Sequence, residues 1–139
     1  MAIIVDAYSR VIVQGATGTV GRAFVERLAQ VYPRTFVGGV APGRGGQRIA
    51  DRPIFDTVLE AVKEVGANTS IVVVPASNAA DAVLEAIDAG IKVISIYTER
   101  IPLHQVMHFL AYAQMHGVTI IGPNAAGVIS AGLGCAGEP

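Results

Sequence analysis

Cysteine occurs once in the 139 residues, as Cys135. One thiol excludes an internal disulfide, and nothing beside it supplies metal-ligand spacing. Charge is also scarce and nearly balanced, with ten Lys and Arg against eleven Asp and Glu and a formal net charge of −1. That balance argues against a polybasic nucleic-acid or membrane surface, so an anionic ligand would have to be held by local geometry and a few placed charges. Apolar runs are short. The longest, such as residues 71–76, fall far below the ~20 residues of a membrane span. Residues 1–6 are too few, and too soon interrupted by Asp6, to form a signal peptide. A cytoplasmic domain is therefore expected, or a mitochondrial-matrix one in a eukaryote, although no transit peptide is visible. The GxxxxGK[ST] pattern of a phosphate-binding P-loop is absent too, which argues against hydrolysis of a nucleoside triphosphate.

What is present is apolar: 52% of residues, with only 15% charged, enough for one well-buried domain and too much for disorder. Short β-branched runs alternate with longer amphipathic segments. Strands are expected at residues 10–14, 35–40, 71–74, 92–97 and 119–121, with 53–55 as a short edge strand. Several are apolar on both faces, as strands covered by helices on both sides must be. Helices are expected at 20–31, 57–65, 79–89 and 103–116, the last following Pro102 and stopping at Gly117. This alternation predicts an α/β fold: a doubly wound, mostly parallel, Rossmann-like sheet with helices on both faces. It would occupy residues 1–131. The Gly-rich, patternless residues 132–139 read as a flexible exit from the domain, fraying from Ala131 onward.

The first strand runs into Gln14-Gly15-Ala16-Thr17-Gly18-Thr19-Val20-Gly21. Glycines let the backbone turn tightly and approach a ligand, and the helix start offers free N–H groups and a positive dipole end. G-x-x-G-x-x-G therefore marks either a site for a phosphate-bearing ligand or a merely tight turn. An NAD site wants a carboxylate at the end of the second strand, yet Phe36-Val37-Gly38-Gly39-Val40-Ala41 carries none. The following loop, Pro42-Gly43-Arg44-Gly45-Gly46, carries one cation. A guanidinium there suits an additional phosphate, as in NADP or coenzyme A, or is simply a solvated loop charge.

Six ordered segments carry a resemblance. They are Gln14 to Gly21, Val37-Gly38-Gly39-Val40-Ala41-Pro42-Gly43-Arg44-Gly45-Gly46, Val73-Val74-Pro75-Ala76, Ala86-Ile87-Asp88-Ala89-Gly90-Ile91-Lys92, Tyr97-Thr98-Glu99-Arg100-Ile101-Pro102 and Ile121-Gly122-Pro123-Asn124. Together they resemble the coenzyme A-binding, N-terminal part of the succinyl-CoA synthetase α subunit, in the NDP-forming acyl-CoA ligases, over almost the whole chain to about Gly132. The resemblance implies coenzyme A as ligand and a cognate ligase domain and ATP-grasp chain as partners. It implies that Thr17, Gly18, Thr19 and Val20 line the coenzyme's phosphates, and that Arg44, where the family usually has lysine, meets a phosphate. Pro42 would border the ligand, Val74 and Pro75 would wall its adenine end, Tyr97, Thr98 and Glu99 would lie along it, and Asn124 would sit near the thiol end.

The chain departs from the family in two ways. Ala125-Ala126 replaces the usual Cys-Pro after the asparagine, which alters the surroundings of the thiol. The second domain, with the family's phosphohistidine, has no counterpart here, so no residue is assigned a catalytic role. A stand-alone module that senses or stores coenzyme A or an acyl-CoA would share the same ligand residues. An NAD(P)-dependent short dehydrogenase is disfavoured, because Tyr97 is followed four residues later by Ile101 and Tyr112 by His116, with no Tyr-x-x-x-Lys pair. His104 and His108 stand at i and i+4 without a third ligand and read as exposed helix histidines, so no metal is expected. Asp81, Glu85 and Asp88 read as the solvated side of a helix, and Cys135 as a bystander.

Overall fold

The computed structural model describes residues 4–132 and 134–138. Its strands are β1 (Val11–Gln14), β2 (Phe36–Val40), β3 (Arg48–Ile49), β4 (Arg52–Phe55), β5 (Thr69–Val72), β6 (Val93–Ile96), β7 (Thr119–Ile121), β8 (Gly127–Ser130) and β9 (Gly134–Gly137). The helices are α1 (Thr19–Val31), α2 (Val58–Val65), α3 (Ala76–Asp88) and α4 (Leu103–Met115). Seven strands form one sheet in the order β3-β4-β2-β1-β5-β6-β7. Every pairing from β4 through β7 is parallel, and only β3 runs against its neighbour. The chain steps outward from β1 to β2 and β4, then returns to the other side of β1 for β5, β6 and β7. The order thus reverses between β1 and β5, and a crevice opens where helices on either side of that point diverge.

Side chains alternate across the sheet and feed two cores. On one face Ile12, Val72, Ile94 and Ile96 pack beneath α2, α3 and α4, through Ala61, Val83, Ala86 and Phe109. On the other, Val11, Val13, Phe36 and Ile71 meet Phe24, Val25 and Leu28 of α1. The α1 stripe Gly21, Phe24, Val25 and Leu28 is buried, the i, i+3, i+4, i+7 pattern of a helix lying on a core. Thr57 opens α2, its hydroxyl accepting from the Glu60 N–H at 3.2 Å, a cap of the T-x-x-E kind.

Residues 53–55 are not the edge expected of them. β4 pairs in parallel with β2 and is covered on its outer side by β3. The β3–β4 hairpin turns through Ala50 and Asp51, at φ 50 and 61. Such turns usually carry Asn-Gly or Asp-Gly, and Ala-Asp is no such signal; Arg48 braces this one by donating to the Asp51 carbonyl at 2.8 Å.

The expected frayed exit is also corrected. Gly134–Gly137 pairs antiparallel with Gly127–Ser130, is buried throughout, and puts Cys135 into the α1-side core. The hairpin lies over β5 and β6, where a doubly wound fold would place another helix. Its glycines serve close packing, since a methyl group on Gly134 would come within 3.0 Å of Val5 Cγ1. Leu133 and Pro139 of that segment, and residues 1–3 of the one weighed as a leader, lie outside the described residues. No described helix is long and apolar enough to cross a membrane.

Burial pushes the Cys135 thiol up to about 11, against 9.0 for the free group. The folded state therefore holds the proton more tightly than the unfolded chain does. Stability from this group is complete below pH 9.0 and falls as pH climbs towards about 11. Native protein at neutral pH should resist iodoacetamide and react on addition of denaturant; rapid native alkylation would show that the hairpin does not cover the thiol.

Candidate ligand cleft at the strand switch point

β1 delivers the chain into a turn at residues 15–18. Gly15 sits at φ 94, a conformation that favours glycine, and its N–H donates to the Val40 carbonyl at 2.9 Å. That bond ties the turn to the end of β2. A Cβ on Gly15 would approach Val74 Cγ1 at 2.9 Å, and one on Gly21 would stand 1.8 Å from the Gly15 carbonyl oxygen. The two glycines thus let α1 start directly on the turn and let β5's exit pass close by. Gly18 caps α1 with no side-chain hydrogen bond, and the first turn contains no acidic residue. The leading N–H groups of α1 thus have no side-chain partner; the Gly18 N–H donates to Gly15 O at 3.2 Å, and of residues 17–20 Val20 alone is among those lining the clefts described below. Thr17 is half-buried, and Gly18, Thr19 and Val20 are exposed.

The other strand ends converge on the same edge. The Thr98 hydroxyl donates to the Val74 carbonyl at 2.6 Å, joining the exits of β5 and β6. The Asn124 N–H donates to Thr98 O at 3.1 Å, bringing in the exit of β7. Tyr97 packs edge-on against Phe24 of α1, with ring centroids 5.0 Å apart. A cleft of ≈ 490 Å³ results, in which Val20, Val74, Tyr97, Thr98, Glu99 and Asn124 all take part. Ala125 and Ala126 also line it. A narrower slot of ≈ 290 Å³ adjoins it between Val40, Pro42 and Val74. Pro75 is the N-cap of α3.

Arg44 stands apart. It is exposed, borders neither cleft, and makes no ion pair among the described residues. Its loop is nonetheless shaped: Asp56 Oδ1 accepts from the Gly45 N–H at 2.9 Å, and the Arg44 N–H donates to Ala41 O at 3.0 Å.

Sequence reasoning missed Gln14. The signal was a polar residue ending an apolar strand. Gln14 is 2% exposed, donates to Ala82 O of α3 at 2.9 Å, and accepts from the buried Ser70 hydroxyl at 2.7 Å. It bolts α3 to the centre of the sheet beneath the slot. Two of the acidic residues read as a solvated face also have structural tasks. Glu85 Oε2 accepts from the Val58 N–H at 2.8 Å, closing the start of α2, and Asp88 accepts from the Tyr112 hydroxyl, whose pKa that bond pushes upward. His104 and His108 are exposed and border the α3–α4 groove. Among the described residues no group of three or more His, Cys, Asp or Glu could hold a metal.

Similarity to known proteins agrees with this geometry. Residues 6–100 match the family described as CoA binding domain. The chain is 49% identical over 132 residues to the succinate–CoA ligase [ADP-forming] subunit alpha 2 of Archaeoglobus fulgidus, covering 95% of this chain and 46% of that one. It is 40% identical over 136 residues to the malate–CoA ligase subunit alpha of Methylorubrum extorquens, again 95% against 46%. The chain therefore spans less than half the length of these relatives. Among solved structures, ATP citrate lyase of Methanothrix soehngenii, in complex with citrate and coenzyme A, superposes at a TM-score of 0.80. At 18% identity, over 97% of this chain and 24% of that one, the likeness is one of fold.

Gln14→Ala would strand the Ser70 hydroxyl, which is fully buried, and release α3 from the sheet. The expected loss is about 1–3 kcal/mol, read by urea unfolding; an unchanged midpoint would show that the bridge is idle.

Proposed function

Since the chain belongs to the CoA-binding domain family, we propose that it is the coenzyme A-holding half of an NDP-forming acid–CoA ligase. The cleft at the switch point carries this reading, because the uncapped starts of α1 and α3 and three strand exits bound it. The amides at Thr17, Thr19 and Val20 hold the pyrophosphate, using backbone dipoles in place of net positive charge, while Gly18, whose own N–H donates to Gly15 O at 3.2 Å, leaves room for the ligand beside them. The adenine lies in the slot beside Pro42, Val74 and Pro75. The pantetheine arm, long and mostly neutral, follows Tyr97, Thr98 and Glu99 towards Asn124 and the small side chains of Ala125 and Ala126. Arg44, on a loop that Asp56 shapes, meets the 3′-phosphate. NAD fits less well, since β2 ends in Val40-Ala41-Pro42 with no carboxylate for the ribose hydroxyls.

The ligase reaction belongs to partners in this proposal: a ligase domain with the family's phosphohistidine and an ATP-grasp chain that binds the nucleotide. Forming an acyl phosphate needs metal ligands and cations around the transferring phosphoryl group. The described residues hold no metal-ligand cluster, and the glycine turn at the start of α1 is assigned to coenzyme A. The archaeal and bacterial sources of the relatives support a cytoplasmic setting.

Calorimetric titration tests the ligand. Coenzyme A should bind the chain and NAD should not displace it; tighter binding of NAD would overturn the assignment. Arg44→Ala should weaken coenzyme A by about 1.5–3 kcal/mol while leaving dephospho-coenzyme A nearly unchanged. Equal losses for the two would move Arg44 off the 3′-phosphate.

A thioester assay tests the division of labour. The purified chain given ATP or GTP, coenzyme A and a panel of carboxylic acids should form no acyl-CoA, and a cognate ligase-domain and ATP-grasp pair should restore turnover. Sustained turnover by the chain alone, abolished by mutating its own residues, would refute the proposal. Binding of coenzyme A with no partner in pull-downs would instead favour a stand-alone sensor.

A further inference from the structure

The slot beside the main cleft has apolar walls and a polar rim, and the rim comes from one face of α3. Ser77, Asn78, Asp81 and Glu85 all border it, roughly one helical turn apart. Most of its polar groups already have partners. The Ser77 hydroxyl donates to Asn78 Oδ1 at 2.9 Å, and Glu85 Oε2 is held by the Val58 N–H. On the floor, both ends of the Gln14 amide are engaged, by Ala82 O and the Ser70 hydroxyl. Asp81 differs. Its carboxylate has no hydrogen bond and no ion pair among the described residues, and it adjoins Ala82, the residue that Gln14 fixes to the sheet. Asp81 is therefore a free, acceptor-only group on a rigid part of the rim.

We propose that Asp81 determines base specificity in this slot, by accepting a hydrogen bond from the exocyclic amino group of an adenine seated between Pro42 and Val74. The inference rests on the coenzyme A reading above and sharpens it. A flat base between apolar walls leaves only its edge for polar recognition. An ionised carboxylate rewards a donor at that edge and repels a carbonyl oxygen. Adenine presents an amino group there, and hypoxanthine, otherwise nearly the same shape, presents a keto oxygen. Asp81 is exposed, so discrimination is moderate.

The experiment titrates native protein and Asp81→Asn with coenzyme A and with its deaminated analogue, which carries hypoxanthine in place of adenine. Native protein should prefer coenzyme A by about tenfold or more, as for a hydrogen bond to a charged group. In Asp81→Asn the preference should shrink to within about threefold, because an amide can turn its oxygen to one base or its NH₂ to the other. Equal affinities in native protein, or an undiminished preference in the variant, would overturn the role of Asp81 while leaving the coenzyme A reading intact. If native protein bound neither compound, both would fall together.

Discussion

A single close approach organises the functional edge of this domain. With no side chain at Gly21, the first turn of α1 can rest against the Gly15 carbonyl, where a methyl group would come within 1.8 Å. With none at Gly15, the same turn can rest against Val74, while its N–H reaches Val40 O. The exits of β1, β2 and β5 and the start of α1 are thus brought together by two missing Cβ atoms. A larger residue at either point would push α1 outward and carry its free N–H groups away from the strand ends. The uncapped start of α1 and the apolar walls beside it are consequences of one packing decision.

The two faces of the sheet are closed differently. Three helices cover one, whereas α1 and the β8–β9 hairpin cover the other. The inner strand of the hairpin, β9, consists of glycine, cysteine and alanine, so it is thinner than a helix and can lie close over β5 and β6. The segment that forms the far end of the cleft, Asn124 to Ala126, leads directly into β8. Hairpin packing and cleft shape are therefore coupled: the Ser130 hydroxyl donates to Val5 O, and Ala125 N donates to Ile96 O at 3.2 Å, so the same stretch is anchored at both ends.

What could be read in the sequence followed from period and from glycine. The parallel core strands announced themselves as β-branched runs, and the four helices as stripes such as Val20, Phe24 and Leu28, of which Phe24 and Leu28 are buried while Val20 is exposed at the cleft. The expected strands overran their ends at Val73, Val74 and Tyr97, and those overruns fall on residues lining the cleft, since a strand's exit is extended chain with its apolar side turned into the crevice. The short hairpins stayed hidden. Ala50-Asp51 reverses the chain without the usual turn residues, and the glycines around Cys135 looked flexible because composition alone cannot separate a loose loop from a strand that needs small residues to approach a sheet. Polar work inside the protein was equally hard to see: Glu85 and Gln14 act on partners 27 and 68 positions away, and only the folded chain shows them meeting.

Charge is used sparingly throughout. With a net charge of −1, the domain does not gather anions by its overall field, and the proposed site relies on oriented N–H groups that keep their direction whatever the ionic strength. Backbone donors fix where a phosphate sits but carry little information about what is attached to it. Discrimination must then come from the few side chains around the opening that are still free to choose a partner. Most polar groups near the slot have been spent on structure: Asp56 on its loop, Glu85 on α2, Gln14 on α3. Among the described residues two charged groups remain without partners: Asp81, which lines the slot, and Arg44, exposed on the loop after β2. A ligand with an anionic phosphate and a hydrogen-bond donor on its base would satisfy both, and in the proposed reading that pairing would distinguish a 3′-phosphorylated adenine nucleotide from its dephosphorylated or deaminated counterparts.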